Sequence, residues 1–133
     1  MTHAKFLDRL LAPRLEDIEA LAAQALADIP PALRDKVRDV VIRVEEFADD
    51  GTLEAMGIDD PFTLTGIYRG VPLKDKSFSD SGSLPDMIFL YRRPILDEWC
   101  ETGSSLGDLV REVLIHEIGH HFGFSDDDMD ALD

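Results

Sequence analysis

The sequence predicts an α+β fold on three observations. A long amphipathic stretch lies near the N-terminus, short β-branched or apolar runs occupy the middle, and helical periodicity returns at the end. Helices gathered around a block of strands favour a layered arrangement with a segregated sheet. At 133 residues the chain fits one domain, spanning 1–133, and can bury a core without covalent staples.

Taken in order, the first element is a short helical piece around Ala4 to Leu11, ahead of Pro13. Leu15 to Asp28 follows, with Leu15, Ile18, Leu21, Ala22 and Leu26 at helical spacing, and Pro30-Pro31 stops it. Val40 to Phe47 is β-branched, with Ile42 and Val44 alternating with Arg43 and Glu45, and reads as a strand. Asp49-Asp50-Gly51 ends it, and a helical turn around Thr52 to Met56 comes next. Leu64 to Val71 is a second strand, interrupted by two glycines that imply bends. Lys74 to Pro85, with four serines, a glycine and a proline, is a loop. Asp86 to Arg92 is a third strand, bounded by Pro94. Two helices close the chain, Ile95 to Thr102 and Ser105 to about Phe122. The latter opens on the capping pattern Ser105/Asp108 and ends at Gly123 in a left-handed conformation.

Composition narrows the function. Thirteen basic against 28 acidic residues give a net charge of −15, a field that repels nucleic acid and anionic membranes and mildly favours neutral or cationic substrates. The single cysteine, Cys100, is expected half-buried; it permits no intrachain disulfide and no thiolate metal cluster. The N-terminal residues are charged throughout, unlike a signal peptide, and no apolar run approaches the roughly 20 residues of a membrane helix. A soluble cytoplasmic protein is expected.

The last helix carries the chemistry. Leu106, Leu109, Val110, Val113 and Leu114 form an apolar stripe whose rows continue into His116, Glu117 and His120. Ionisable groups on an inward face are costly to bury unless something pairs with them, and a metal ion is an effective partner. Residues four apart lie about 40° apart around a helix, so His116 and His120 project side by side and reach one zinc ion at roughly 2.0–2.1 Å. Glu117 points off that axis and is placed to take a proton from a water molecule. Gly123 allows a sharp turn that returns Asp126 as a third ligand; Asp127 is the alternative, less favoured by spacing. The competing reading is a helix with two buried histidines and an ion-paired glutamate.

The extended pattern H-E-x-x-H-x-x-G-x-x-D resembles the zincin metallopeptidases whose third ligand is aspartate. The likeness extends to Leu64–Leu73 (LTGIYRGVPL), Leu84–Leu96 (LPDMIFLYRRPIL) and Val110–Gly123 (VREVLIHEIGHHFG), and covers roughly Leu15 onward. These segments resemble a family of minimal, single-domain zincin-like proteins. The resemblance implies a minimal zincin-like fold: a small mixed sheet, a backing helix at Leu15 to Asp28, and a C-terminal active-site helix. It implies Zn2+ on His116, His120 and Asp126, Glu117 as general base, and hydrolysis of peptide bonds. In zincins substrate lies along an edge strand above the metal. The matching segment here is Asp86 to Arg92, with Ile88, Leu90 and Tyr91 as substrate contacts.

Two departures stand beside the resemblance. Met129 lies too close to Asp126 to form a Met-turn, and no C-terminal subdomain walls the cleft, so a shallow, open site is expected. The partner expected is a peptide or unstructured protein, with a homodimer left open. The rival expectation is a zincin-shaped module that binds peptide with little or no turnover. Candidates for stabilising an oxyanion are His121, Tyr68, Tyr91 and Arg92; the spacing of His121 favours a supporting or surface role.

Overall fold

A computed structural model describes residues 2–70 and 85–123. Its elements are α1 (His3–Asp8), α2 (Leu15–Asp28), α3 (Pro31–Val37), β1 (Val41–Glu45), α4 (Asp50–Met56), a 3₁₀ turn (Pro61–Thr63), β2 (Gly66–Arg69), β3 (Met87–Tyr91), α5 (Arg92–Thr102) and α6 (Leu106–His121). The α+β reading holds. The loop expected at Lys74 to Pro85 lies almost wholly outside the described residues.

Local chemistry accounts for the boundaries. The Asp17 carboxylate accepts the Arg14 N–H at 2.7 Å and starts α2. Pro30-Pro31 does end α2, but Pro31 then begins α3, because a proline in the first turn of a helix forfeits no hydrogen bond. The same principle moves the start of α5. Pro94 lies inside its first turn rather than before it, so α5 grows directly out of β3 at Arg92. Ser105 Oγ accepts the Asp108 N–H at 3.1 Å and caps α6, as the capping pattern anticipated.

The sheet is mixed, in the order β1-β3-β2. β3 runs parallel to β1, with Ile88 opposite Ile42, and antiparallel to β2, with Ile88 opposite Tyr68. This corrects the expectation that Asp86 to Arg92 forms an edge. β3 is the central strand and is hydrogen-bonded on both sides.

Both faces of that strand are buried. On one, Ile88 and Leu90 meet Ile18, Ala22 and Ala25 of α2, Ile95 of α5, and Leu109, Val110, Val113, Leu114 and Ile118 of α6. On the other, Phe89 and Tyr91 pack with Ala48 and Leu64, flanked by Leu53, Ile58, Ile67 and Met87. α2 packs against both α6 and the sheet, which is the backing position expected for it. Cys100 is exposed rather than half-buried. Among the described residues no helix is long and apolar enough to cross a membrane.

Candidate functional site

The site is built on α6. Val113 and Leu114 are buried, and one turn further on Glu117 and Ile118 take their place in the same core-facing arc. Glu117 is 8% exposed and His121 3%, whereas His116 and His120 are half-buried at the edge of the arc. At about 100° per residue this is what α-helical geometry requires: Glu117 falls at the centre of the apolar face and the two histidines on its rim.

The ligand atoms of His116, Glu117 and His120 all lie within 4.8 Å of one another. The two imidazole rings stand 5.0 Å apart, centroid to centroid, at 70°. Two donors sharing a tetrahedral ion at about 2.1 Å stand roughly 3.4 Å apart, so modest side-chain rotation brings the two imidazoles onto one ion with the Glu117 carboxylate beside it. Imidazole and carboxylate donors suit a borderline divalent cation such as zinc. The group is therefore a fit for a metal centre.

α6 ends as the spacing anticipated. Phe122 caps it, and Gly123 adopts φ 96° while its N–H bonds the His120 carbonyl at 2.9 Å. A positive φ of this size is strained for any residue with a Cβ, which is why glycine turns the chain here. Asp126, Asp127 and Met129 lie outside the described residues.

A groove of about 220 Å³ opens beside His116 and Glu117, lined further by Thr65, Leu109, Val113, Glu98 and Glu112. Its buried lining is Leu109, Val113 and the Glu117 side chain, and the more exposed Glu98 and Glu112 make it acidic. Sequence reasoning did not find Thr65, Glu98 or Glu112. Glu112 precedes His116 by one helical turn and was findable on that ground; Glu98 and Thr65 arrive only through tertiary packing.

The three residues expected to touch substrate do not line this groove. Ile88, Leu90 and Tyr91 are 1%, 0% and 2% exposed, because they belong to a central strand covered on both faces. The Tyr91 phenol is pushed up to about 12, chiefly by burial, against the lowering effect of Arg69. Arg92 is also engaged elsewhere: it donates to the Pro13 carbonyl at 2.6 Å and to the Glu46 carboxylate at 2.9 and 3.2 Å. Tyr68 lies against His121, its hydroxyl 3.2 Å from Nδ1. Burial first, then the nearby Asp86 carboxylate, holds that phenol well above its usual range.

The family model for zincin-like metallopeptidases matches residues 37–133. That span takes in the whole sheet and the H-E-x-x-H helix and is well over half of the chain. The chain belongs to the zincin-like metallopeptidase family. No curated protein matches it. The match begins at Val37, so α2 lies ahead of the family region even though this zincin-like chain packs it directly behind α6.

Proposed function

We propose that this protein is a zinc-dependent peptidase that hydrolyses peptide bonds in unstructured chains. The observation that carries the proposal is the convergence of His116, Glu117 and His120 at the mouth of an open groove, in a chain of this family. His116 and His120 would hold the ion, with Asp126 as third ligand. When bound, zinc supplies Lewis-acid activation of a water molecule and of the scissile carbonyl.

The chain's own residues supply the rest. As the water oxygen adds to the carbonyl carbon, the Glu117 carboxylate takes a proton from that water. As the C–N bond breaks, Glu117 returns the proton to the leaving nitrogen, so a carboxylic acid and an amine result. A carboxylate at the centre of an apolar face is screened from bulk water, which strengthens its electrostatic influence on the reacting atoms.

β3 has no free edge. Of the two edge strands among the described residues, β2 is the one that packs on α6 and adjoins Thr65 of the groove, so β2 is the strand to receive a peptide. The Tyr91 N–H bonds the Thr65 carbonyl at 2.9 Å, so in the antiparallel ladder Gly66 and Tyr68 turn their backbone polar groups away from β3. An extended peptide can add there by main-chain hydrogen bonds while one side chain enters the adjoining groove. Leu109 and Val113 would pack an aliphatic stem, and Glu98 and Glu112 favour a cationic tip. A cytoplasmic setting accords with the free thiol of Cys100.

Zinc content by mass spectrometry, on wild type and on His116→Ala, tests the centre: one zinc per wild-type chain and a large loss in the variant are expected. Glu117→Gln should keep the zinc and lower cleavage of an unfolded protein by at least about 10²-fold. A folded wild-type protein that takes up no zinc, or that binds peptide without cutting it, would replace this reading with that of a binding module.

A further inference from the structure

His121 occupies an apolar position with a side chain that is not apolar. It lies three residues beyond Ile118 and seven beyond Leu114, both buried, and is itself 3% exposed. It follows His120 directly and precedes the Gly123 turn. Its ring is held at both nitrogens. Nε2 lies 3.2 Å from the Lys36 carbonyl, which can only accept, so Nε2 carries a proton. Nδ1 lies 3.3 Å from Asp86 Oδ2 and 3.2 Å from the Tyr68 hydroxyl.

Asp86 is 8% exposed, and the space for its carboxylate exists because residue 70 is glycine: a Cβ there would overlap it. Four segments therefore meet at one imidazole: the end of α3, strand β2, the residue leading into β3, and the last turn of α6. A leucine at 121 would bury carbon equally well but would leave the helix end free to rotate, since apolar contact has no preferred direction. Hydrogen bonds at both ring nitrogens fix direction, and a satisfied buried polar network specifies geometry more than it adds stability.

We infer that the His121–Asp86–Tyr68 network is a positioning device for the metal centre. It sets the rotation of the last turn of α6, hence where the His120 imidazole points and the direction in which the chain leaves through Gly123. This rests on reading His116 and His120 as metal ligands. None of the three residues would hold the ion; each acts through the backbone that carries His120.

Cobalt(II) titration of the full metal-free chain tests the inference, with visible d–d absorption reporting coordination geometry and thermal unfolding of the metal-free chain reporting the fold. Asp86→Asn and His121→Gln should weaken cobalt binding by about 10–100-fold and alter the d–d bands, the loss typical when a group that orients a ligand is removed. Tyr68→Phe, which deletes one hydroxyl and keeps the ring packing, should weaken binding several-fold with an intact fold. Folded variants with wild-type cobalt affinity and spectrum would overturn the inference. Should the first two variants fail to fold, Tyr68→Phe decides by the same comparison. Failure of the wild-type chain to bind cobalt would instead remove the metal-centre reading, a result visible without any variant.

Discussion

Gly66 is where the spacing between β2 and α6 can be tested most directly. An ideal Cβ at this position would stand 2.9 Å from Val113 Cγ1, 3.0 Å from the Phe89 carbonyl oxygen and 3.4 Å from Leu90 Cδ2. Carbon atoms prefer about 3.5–4.0 Å, so in Gly66→Ala both Val113 and the β3 backbone would have to recede by several tenths of an ångström. The Phe89 oxygen belongs to the central strand and cannot rotate away. Overpacking of this kind costs about 1–3 kcal/mol, offset by roughly 0.4–1 kcal/mol from the stiffer unfolded chain. A net loss of about 1–2 kcal/mol lowers the melting temperature by roughly 3–8 °C for a chain of this size. Calorimetry on the metal-free protein measures it. Adding Val113→Ala removes the closest side-chain contact, so the double mutant should recover stability relative to additivity by about 1 kcal/mol. Gly66→Ala melting at or above the wild-type temperature, or strict additivity with Val113→Ala, would refute the claim that β2 is seated on α6 through this glycine.

Two groups away from the candidate site, Ser105 and Tyr91, carry further predictions. Ser105→Ala removes the cap of α6 and should cost about 1 kcal/mol in urea unfolding. The same hydroxyl, ahead of Arg111, holds the Asp108 carboxyl below its ordinary value, so NMR titration should find that carboxyl moved upward in the variant. A depressed carboxyl adds stability above its unfolded pKa and loses it as pH falls through the folded value; Ser105→Ala should therefore show a shallower acid limb. The Tyr91 phenol carries the opposite sign. Raised from 10.0 to about 12, it favours the folded state fully below pH 10, and that contribution is lost as pH rises to about 12. Unfolding free energy should decline over that window, less steeply in Tyr91→Phe; an unchanged slope would mean that the ring is solvated.

The long elements were legible because burial imposes a period on them. α2 and α6 show their apolar faces at helical spacing, and Ser105 and Gly123 mark the ends of α6 with residues whose chemistry suits nothing else as well. The order of the strands was not legible in this way, since pairing is decided by tertiary contact. One signal was nevertheless available. Met87 to Tyr91 is an unbroken apolar run, whereas an edge strand with one wet face alternates, and the unbroken run is the mark of a strand covered on both sides. The same unbroken run puts Ile88, Leu90 and Tyr91 in the core rather than at a surface that a substrate can touch. α3 is hidden in the sequence because a Pro-Pro pair that stops one helix can equally begin the next. His121 was readable from its place three residues beyond Ile118. Its partners Asp86, Tyr68 and the Lys36 carbonyl were not, because residues that far apart in sequence are brought together only by the folded chain.

The placement of these groups on α6 has a consequence for how stability and function relate. A site carried on a surface loop can be altered without disturbing the core beneath it. Here the buried residues Val113, Leu114 and Ile118 alternate along one helix with Glu117 and His121, and the two histidines lie on the rim of the same arc. Loosening of the last turn of α6 alone would move His120 against His116, whereas a rotation of the whole helix that relieved a packing defect would swing His116, Glu117 and His120 together and preserve their mutual geometry. That rotation would not preserve their relation to anything off the helix: the groove wall at Thr65 and Glu98, the β2 edge, or the chain beyond Gly123. What must be held is therefore the rotation of the helix against the sheet. Gly66 fixes it at mid-helix through close contact, and His121 fixes it at the C-terminal end through directional bonds.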